Sequence, residues 1–475
     1  MNEVFELVTS VRSDVELVIG LAIALAVTVH VLLTKREVAA AVGWIGLAWF
    51  SPFFGGLTYL MLGINRVRRR AVAARGRGRR PGQGKRDPAL PADDGHLRPL
   101  GRGIGVITGR QNEPGNSFAI LQNGDEAYPA MLAAIEGARA SIGLSSYIMR
   151  ADTIGMRFVA ALQGARARGV EVRVIVDGIG SGWVLSPVYF RLRRAGVPAR
   201  RFMHSPMPWR MPFLNLRTHK KILVVDGTVG FTGGINIADQ NIVAERHPDP
   251  VQDTHFRVQG PVVAQLVDAF AQDWSFLADE DLDGPAWFPP LEPAGDAAAR
   301  AITAGPDQDL DKVEFAVLQA IACARDSIRV MTPYFLPDQQ MITALSLAAM
   351  RGVTVELFIP QEGDHRLINW AVPANVGPLL RDGVRIWRSP PPFRHSKVMV
   401  VDGEWCLIGS SNWDMRSFRL NFELCVEVYD RPLAAVLEAL MAQNRGPALA
   451  TADLAARRMP ERLRDAGARL LLPYL

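Results

Sequence analysis

Residues 219–236 read HKKILVVDGTVGFTGGIN, and residues 395–412 read HSKVMVVDGEWCLIGSSN. Each stretch runs His, one residue, Lys, four residues, Asp, six residues, then Gly-Gly/Ser-x-Asn. Side chains two apart in a strand share a face, so His219 projects with Lys221, and His395 with Lys397. The runs ILVV and VMVV read as buried strands. The Asp-Gly steps at Asp226–Gly227 and Asp402–Gly403 read as two-residue hairpin turns. On that register His219 faces Gly234 and His395 faces Ser410. The small residues then leave room for a bound group beside each imidazole.

Outward from these motifs the chain keeps repeating. AIEGARASI (134–142) answers AIACARDSI (320–328), RGVEVRVIVDG (168–178) answers RGVTVELFIP (351–360), and RAGV (194–197) answers RDGV (381–384). The order is conserved, and the offset runs only from 176 (219 to 395) to 187 (194 to 381). Helical and β-branched segments alternate, which is the pattern of α/β architecture. Two such halves predict a pseudo-dimer about a two-fold axis, with the repeated motifs face to face.

The residue types point to phosphate chemistry. Lysine is a compact cation suited to phosphate oxygens, and histidine serves as nucleophile, acid or base near neutral pH. Asn236, Asn412 and Ser410 are candidate donors to a non-bridging oxygen. No carboxylate cluster gathers for a two-metal site, so no metal or other cofactor is expected, and the two lysines take over the charge neutralisation. Cys323, Cys406 and Cys425 have no metal-ligand spacing and read as buried thiols in a reduced compartment. His204, His247, His255 and His365 lack any comparable frame and read as structural.

Apolar residues make up 49% of the 475. Much of this is concentrated in residues 17–34 and 38–65, two runs without Asp, Glu, Lys or Arg. They predict a transmembrane helical hairpin turning at Lys35–Glu37, the second helix kinked at Pro52. The acidic residues ahead of the first run argue against a signal peptide. Residues 66–86 then carry ten Lys or Arg and no acid. Against two basic residues in the turn, this puts both ends and the catalytic part in the cytoplasm. Residues 81–117, rich in Gly, Pro and charge, read as a loose tether.

The paired HxKxxxxD…GxxN motifs resemble the phospholipase D superfamily. With the apolar hairpin, the chain is similar to bacterial cardiolipin synthases within it. The likeness extends over SSYI (145–148), VDGIGS (176–181), QDTHFRVQGP (252–261), TPYFLPD (332–338), GDHR (363–366) and SNWDMRSFRLNFE (411–423). It implies an α/β fold of two phospholipase D-like halves, 116–300 and 301–475, after a hairpin at 1–65 and a tether at 66–115.

The resemblance also implies a phosphatidyltransferase joining two phosphatidylglycerols into cardiolipin through a phosphatidyl-histidine. It gives His219 as nucleophile and His395 as acid and base. Lys221, Lys397, Asp226 and Asp402 complete the two motifs. The family pattern adds Asp253 in the first half and Glu423 in the second as histidine-orienting carboxylates. Asp226 and Asp402, at the turns, hold the hairpins. Expected partners are phosphatidylglycerol and anionic membrane lipids in the cytoplasmic membrane, with no nucleic acid. A lipid hydrolase, or a transferase using another headgroup alcohol, would use the same residues. A nuclease gains little from a bilayer anchor, and a membrane scaffold needs no catalytic motif.

Overall fold

A computed structural model describes residues 2–35, 38–63, 95–183, 185–204, 216–245, 247–307 and 309–470. The basic tract 66–86 lies outside the described residues. The chain forms two compact units, 1–70 and 71–475.

In the first unit, α1 (Asn2–Thr34) contains an apolar stretch, Asp14–Thr34, long enough to cross a membrane. The second apolar run is not one spanning helix. α2 (Val38–Phe50) ends after 13 residues, Ser51 leaves helical geometry, and α3 (Pro52–Thr58) starts afresh before a π turn at Tyr59–Gly63. Pro52 has no N–H to lose at a helix start, so the sequence that suggests a kink here builds a break.

The first helix among the described residues of the second unit is α4 (Arg98–Thr108), which falls within the stretch expected to be a loose tether. Leu100 and Ile104 are fully buried in the second-half core beside Val313, Val317 and Ala320. The fully buried Arg300 donates to the carbonyl of Gly101 and pairs with Glu427.

The first half contributes β1 (Glu113–Gln122), β2 (Ser141–Ser146), β3 (Glu171–Asp177), β4 (Ala199–Phe202), β5 (Arg217–Thr218), β6 (Ile222–Val225), β7 (Val229–Gly233), β8 (Val251–Gln252) and β9 (Thr254–Gln259). The second contributes β10 (Ala297–Ala304), β11 (Ser327–Met331), β12 (Phe335–Leu336), β13 (Thr354–Pro360), β14 (Arg385–Ser389), β15 (Phe393–Arg394), β16 (Val398–Val401), β17 (Trp405–Gly409), β18 (Trp413–Asp414) and β19 (Asn421–Tyr429).

The main sheet is palindromic: β14-β13-β11-β16-β17-β19-β10 from one half, then β1-β9-β7-β6-β2-β3-β4 from the other. The halves join antiparallel at β1 and β10, with Asn116 opposite Ala297. Each half has a separate apolar core of strands and flanking helices.

The motif hairpins differ from the expected register by one residue. Asp226 and Gly227 both take positive φ (50° and 63°), and the Thr228 N–H donates to the Val225 carbonyl at 3.0 Å, as a tight turn requires. The ladder, however, pairs Val225 with Val229, so Thr228 is an extra, bulged residue. The second half does the same: Val401 pairs with Trp405 around Asp402 and Gly403.

Candidate active site

Two short parallel pairings across the halves bring the motifs together. β5 lies beside the start of β19, with Arg217 opposite Asn421 and Thr218 opposite Phe422. β8 lies beside β15, with Val251 opposite Phe393 and Gln252 opposite Arg394. The strands end in register at the two motif histidines. The His219 N–H donates to the Phe422 carbonyl at 2.8 Å, and the His395 N–H to the Gln252 carbonyl at 2.7 Å.

The residue following each of these carbonyls is a carboxylate, so the pairing crosses. His219 Nδ1 lies 3.0 Å from Glu423 Oε2, and His395 Nδ1 lies 2.7 Å from Asp253 Oδ2. Each half's carboxylate therefore orients the other half's imidazole. All four side chains are buried. Where Nδ1 carries the hydrogen and donates it to the carboxylate, Nε2 is the ring nitrogen left with a free lone pair; at His395, Lys397 Nζ also lies 2.8 Å from Nδ1.

The small residues after the hairpins serve these carboxylates rather than a bound group. A Cβ on Gly234 would lie 2.1 Å from Asp253 Oδ1, so only glycine fits there. At the matching place Ser410 donates its hydroxyl to Glu423 Oε2 at 2.5 Å. The Ser410 hydroxyl, expected on a phosphate oxygen, thus holds the longer carboxylate. Asn421 Nδ2 donates to Glu423 Oε1 at 3.2 Å, and the Thr254 N–H to Asp253 Oδ1 at 2.7 Å.

The two imidazole–carboxylate pairs are electrostatically unequal. Burial opposes ionisation of Asp253, yet Lys397 and His395 outweigh it and hold the acid down at about 2. Burial wins at Glu423 and raises it to about 7, Lys221 acting against it. Burial lowers both histidines, and the buried lysines add to this. At His395 the ionised Asp253 pulls the other way. Lys221 falls to about 7 through burial and the nearby Lys397, and Lys397 to about 8 through burial. Lys221 Nζ donates to the His219 carbonyl at 2.9 Å, and Lys397 Nζ to that of His395. Two crowded, dehydrated ammonium groups beside two imidazoles are what a phosphodiester anion would relieve.

Asp226 and Asp402 do not face the imidazoles. Asp226 accepts from the N–H groups of Arg139, Ala140 and Ser141, and Asp402 from those of Arg325, Asp326 and Ser327. They lie at the far ends of their strands, roughly 16 Å from the motif lysines, and lock each hairpin to the neighbouring strand. His96 also contacts Asp402, at 2.6 Å. Asn236 and Asn412 are buried; Asn236 Oδ1 accepts from the Ile148 N–H at 3.3 Å. Of the other histidines, His255 is buried and lowered to about 4 by burial, and His204 contacts the Trp183 carbonyl.

The motif reading misses two tyrosines. Tyr147 sits edge-on to His219, ring centroids 4.9 Å apart, with Lys221 Nζ 5.3 Å from its ring. Tyr334 sits 6.1 Å from the His395 ring and donates its hydroxyl to Asp364 at 2.7 Å. Their signal is the placement of Tyr147 and Tyr334 within three residues of the ends of the equivalent strands β2 and β11, in SSYI and TPYF.

Comparison with known proteins agrees with this architecture. The family model described as "Cardiolipin synthase, PLD-like domain" matches residues 131–274 and 317–444, once per half. The cardiolipin synthase of Geobacillus thermodenitrificans is 35% identical over 410 residues, covering 84% of this chain and 81% of that one. Cardiolipin synthase A of Pseudomonas aeruginosa is 32% identical over 465 residues, covering 94% and 93%. The crystal structure of a Haemophilus influenzae phosphatidylserine synthase shares the fold at a TM-score of 0.58 and 15% identity, over 75% of this chain and 95% of that one. The fold and the doubled motif define a phospholipase D-like protein. Within that class, this chain belongs to the cardiolipin synthase family.

Proposed function

We propose that this chain is a cardiolipin synthase, a phosphatidyltransferase that joins two phosphatidylglycerols into cardiolipin and releases glycerol. The crossed pairing of His219 with Glu423 and His395 with Asp253 carries this reading, because it makes one site of two motifs. In the first step His219 Nε2 attacks phosphorus, and the bond to the glycerol oxygen breaks as His395 protonates that oxygen. In the second step His395 takes the proton from a headgroup hydroxyl of the second phosphatidylglycerol. That oxygen attacks the phosphatidyl-histidine, the phosphorus–nitrogen bond breaks, and His219 is restored.

The unequal carboxylates support this division of roles. Ionised Asp253 stabilises an imidazolium on His395, which suits an acid. Burial, with Lys221 and Lys397 nearby, keeps His219 neutral, as a nucleophile must be, and Glu423, raised to about 7, opposes this less than a fully ionised carboxylate would. Lys221 and Lys397, with Asn236 and Asn412, serve the non-bridging oxygens. The domain division goes with this function: a membrane segment in 1–65, a connection through 66–115, and halves at 116–300 and 301–475. Ten basic residues in 66–86 support a cytoplasmic-membrane protein whose catalytic part faces the cytoplasm, where they meet anionic lipid.

The test is to incubate detergent-solubilised full-length protein with phosphatidylglycerol and weigh the products. Cardiolipin with glycerol is expected. Phosphatidic acid in place of cardiolipin would make the protein a hydrolase. Transfer only on addition of another alcohol would move it to a different acceptor.

A further inference from the structure

We infer that this chain crosses the bilayer once, and that residues 38–63 re-enter the membrane and leave it on the side from which they came. The Asp14–Thr34 stretch of α1 has 21 residues, about 31 Å of helix. The 13 residues of α2 reach only about 20 Å, short of a hydrocarbon core of about 30 Å.

The direction of α3 settles where the chain goes next. A Cβ on Gly20 of α1 would lie 3.4 Å from the Pro52 ring, so α3 begins near the level of residue 20. Gly56 packs on Ile23, where a Cβ would meet the Ile23 side chain at 2.5 Å. Tyr59 then reaches His30, with its hydroxyl 2.7 Å from Nδ1. Rising numbers in α3 thus match rising numbers in α1. Against α2 they run the other way: Gly55 sits under the Leu47 carbonyl, and the Tyr59 ring lies 5.3 Å from that of Trp44. Residues 59–63 therefore return toward the level of Thr34, near the point where α2 began.

The reversal suits a membrane interior. Two backbone donors flanking it find acceptors, as a lipid interior demands: the Ser51 N–H on the Leu47 carbonyl at 3.0 Å, and the Gly55 N–H on the Ser51 carbonyl at 2.6 Å. Gly55 and Gly56 allow the close helix contact that packing in lipid favours. The polar side chains between helices pair with one another, as in Trp49 Nε1 donating to Thr28 at 3.0 Å. The outward face carries Leu17, Val18, Leu21, Leu25, Val29 and Leu32, all exposed and fit for acyl chains.

Charge follows the same division. With re-entry, Lys35, Arg36 and the ten basic residues of 66–86 share one side. Residues 2–16, with Glu3, Glu6, Asp14 and Glu16 against Arg12, lie on the other. Two full crossings would put Lys35 and Arg36 opposite the basic tract and the acidic segment beside it, a poorer fit to the positive-inside rule.

Cysteine labelling of the full-length chain in intact cells tests this, using Val8→Cys, Glu37→Cys and Leu90→Cys in a Cys323→Ala background and a membrane-impermeant maleimide. Label at residue 8 from outside, with 37 and 90 reached only after permeabilisation, is expected. Label at 37 from outside with 8 and 90 protected would overturn re-entry in favour of two crossings. Label at both 37 and 90 from outside, with 8 protected, would keep re-entry and refute the cytoplasmic placement of the catalytic part.

Discussion

His395 Nδ1 lies 2.7 Å from Asp253 Oδ2, although 142 residues and the whole pseudo-two-fold separate them. Its counterpart joins His219 to Glu423 at 3.0 Å. Neither half therefore holds a complete imidazole–carboxylate pair, and orientation of each histidine depends on docking of the other half.

The crossing predicts which step each carboxylate supports. On the proposed roles, Asp253→Asn removes support from the acid, His395, and Glu423→Gln from the nucleophile, His219. Each should slow cardiolipin formation by roughly 100- to 10,000-fold, the usual range for acid–base assistance. A phosphatidyl donor with a nitrophenol leaving group needs no proton. Release of nitrophenol should recover most of its rate in Asp253→Asn but not in Glu423→Gln. Equal recovery in both would refute the assigned roles.

The pH profile should show the lysines. Burial brings Lys221 from 10.5 down to about 7 and Lys397 to about 8. An amine is charged below its pKa, so phosphate binding should weaken as pH rises through this window. Initial rates at subsaturating phosphatidylglycerol should fall above pH about 7 to 8, and Lys221→Arg should push that limb upward, since arginine keeps its charge. A flat profile up to pH 10 would contradict a role for the dehydrated ammonium groups.

Much of the site is legible in the sequence because its residues sit in repeated, short-range frames. The His-x-Lys pairs follow from strand alternation, and Asp253 and Glu423 stand out by family pattern. The exchange of partners is not legible, since it depends on β5–β19 and β8–β15, pairings of two residues each across the halves. The hairpin register escapes by one residue because the Asp-Gly turn forms but Thr228 bulges after it. The turn-back after α2 is hidden because Pro52 starts a helix as readily as it kinks one.

α4 escapes because Gly101, Gly103 and Gly105 give it low helix propensity. Tertiary burial of Leu100 and Ile104 overrides this. Leu100→Ala should cost roughly 2–5 kcal/mol of stability, as for other fully buried leucines, and lower the melting temperature of the full-length protein in detergent. An unchanged melting temperature would show that 98–108 is the loose tether its composition suggests.

The central claim is a covalent phosphatidyl group on His219, formed at a single site shared by both halves. The direct measurement is to mix the protein with labelled phosphatidylglycerol, stop the reaction with acid within a turnover, and locate the adduct by peptide mass. Label on the peptide carrying His219, absent from His219→Ala, is the predicted result. Label on His395 instead would reverse the assigned roles. Cardiolipin formed with no adduct on either histidine, and with inversion at phosphorus, would contradict the two-step mechanism.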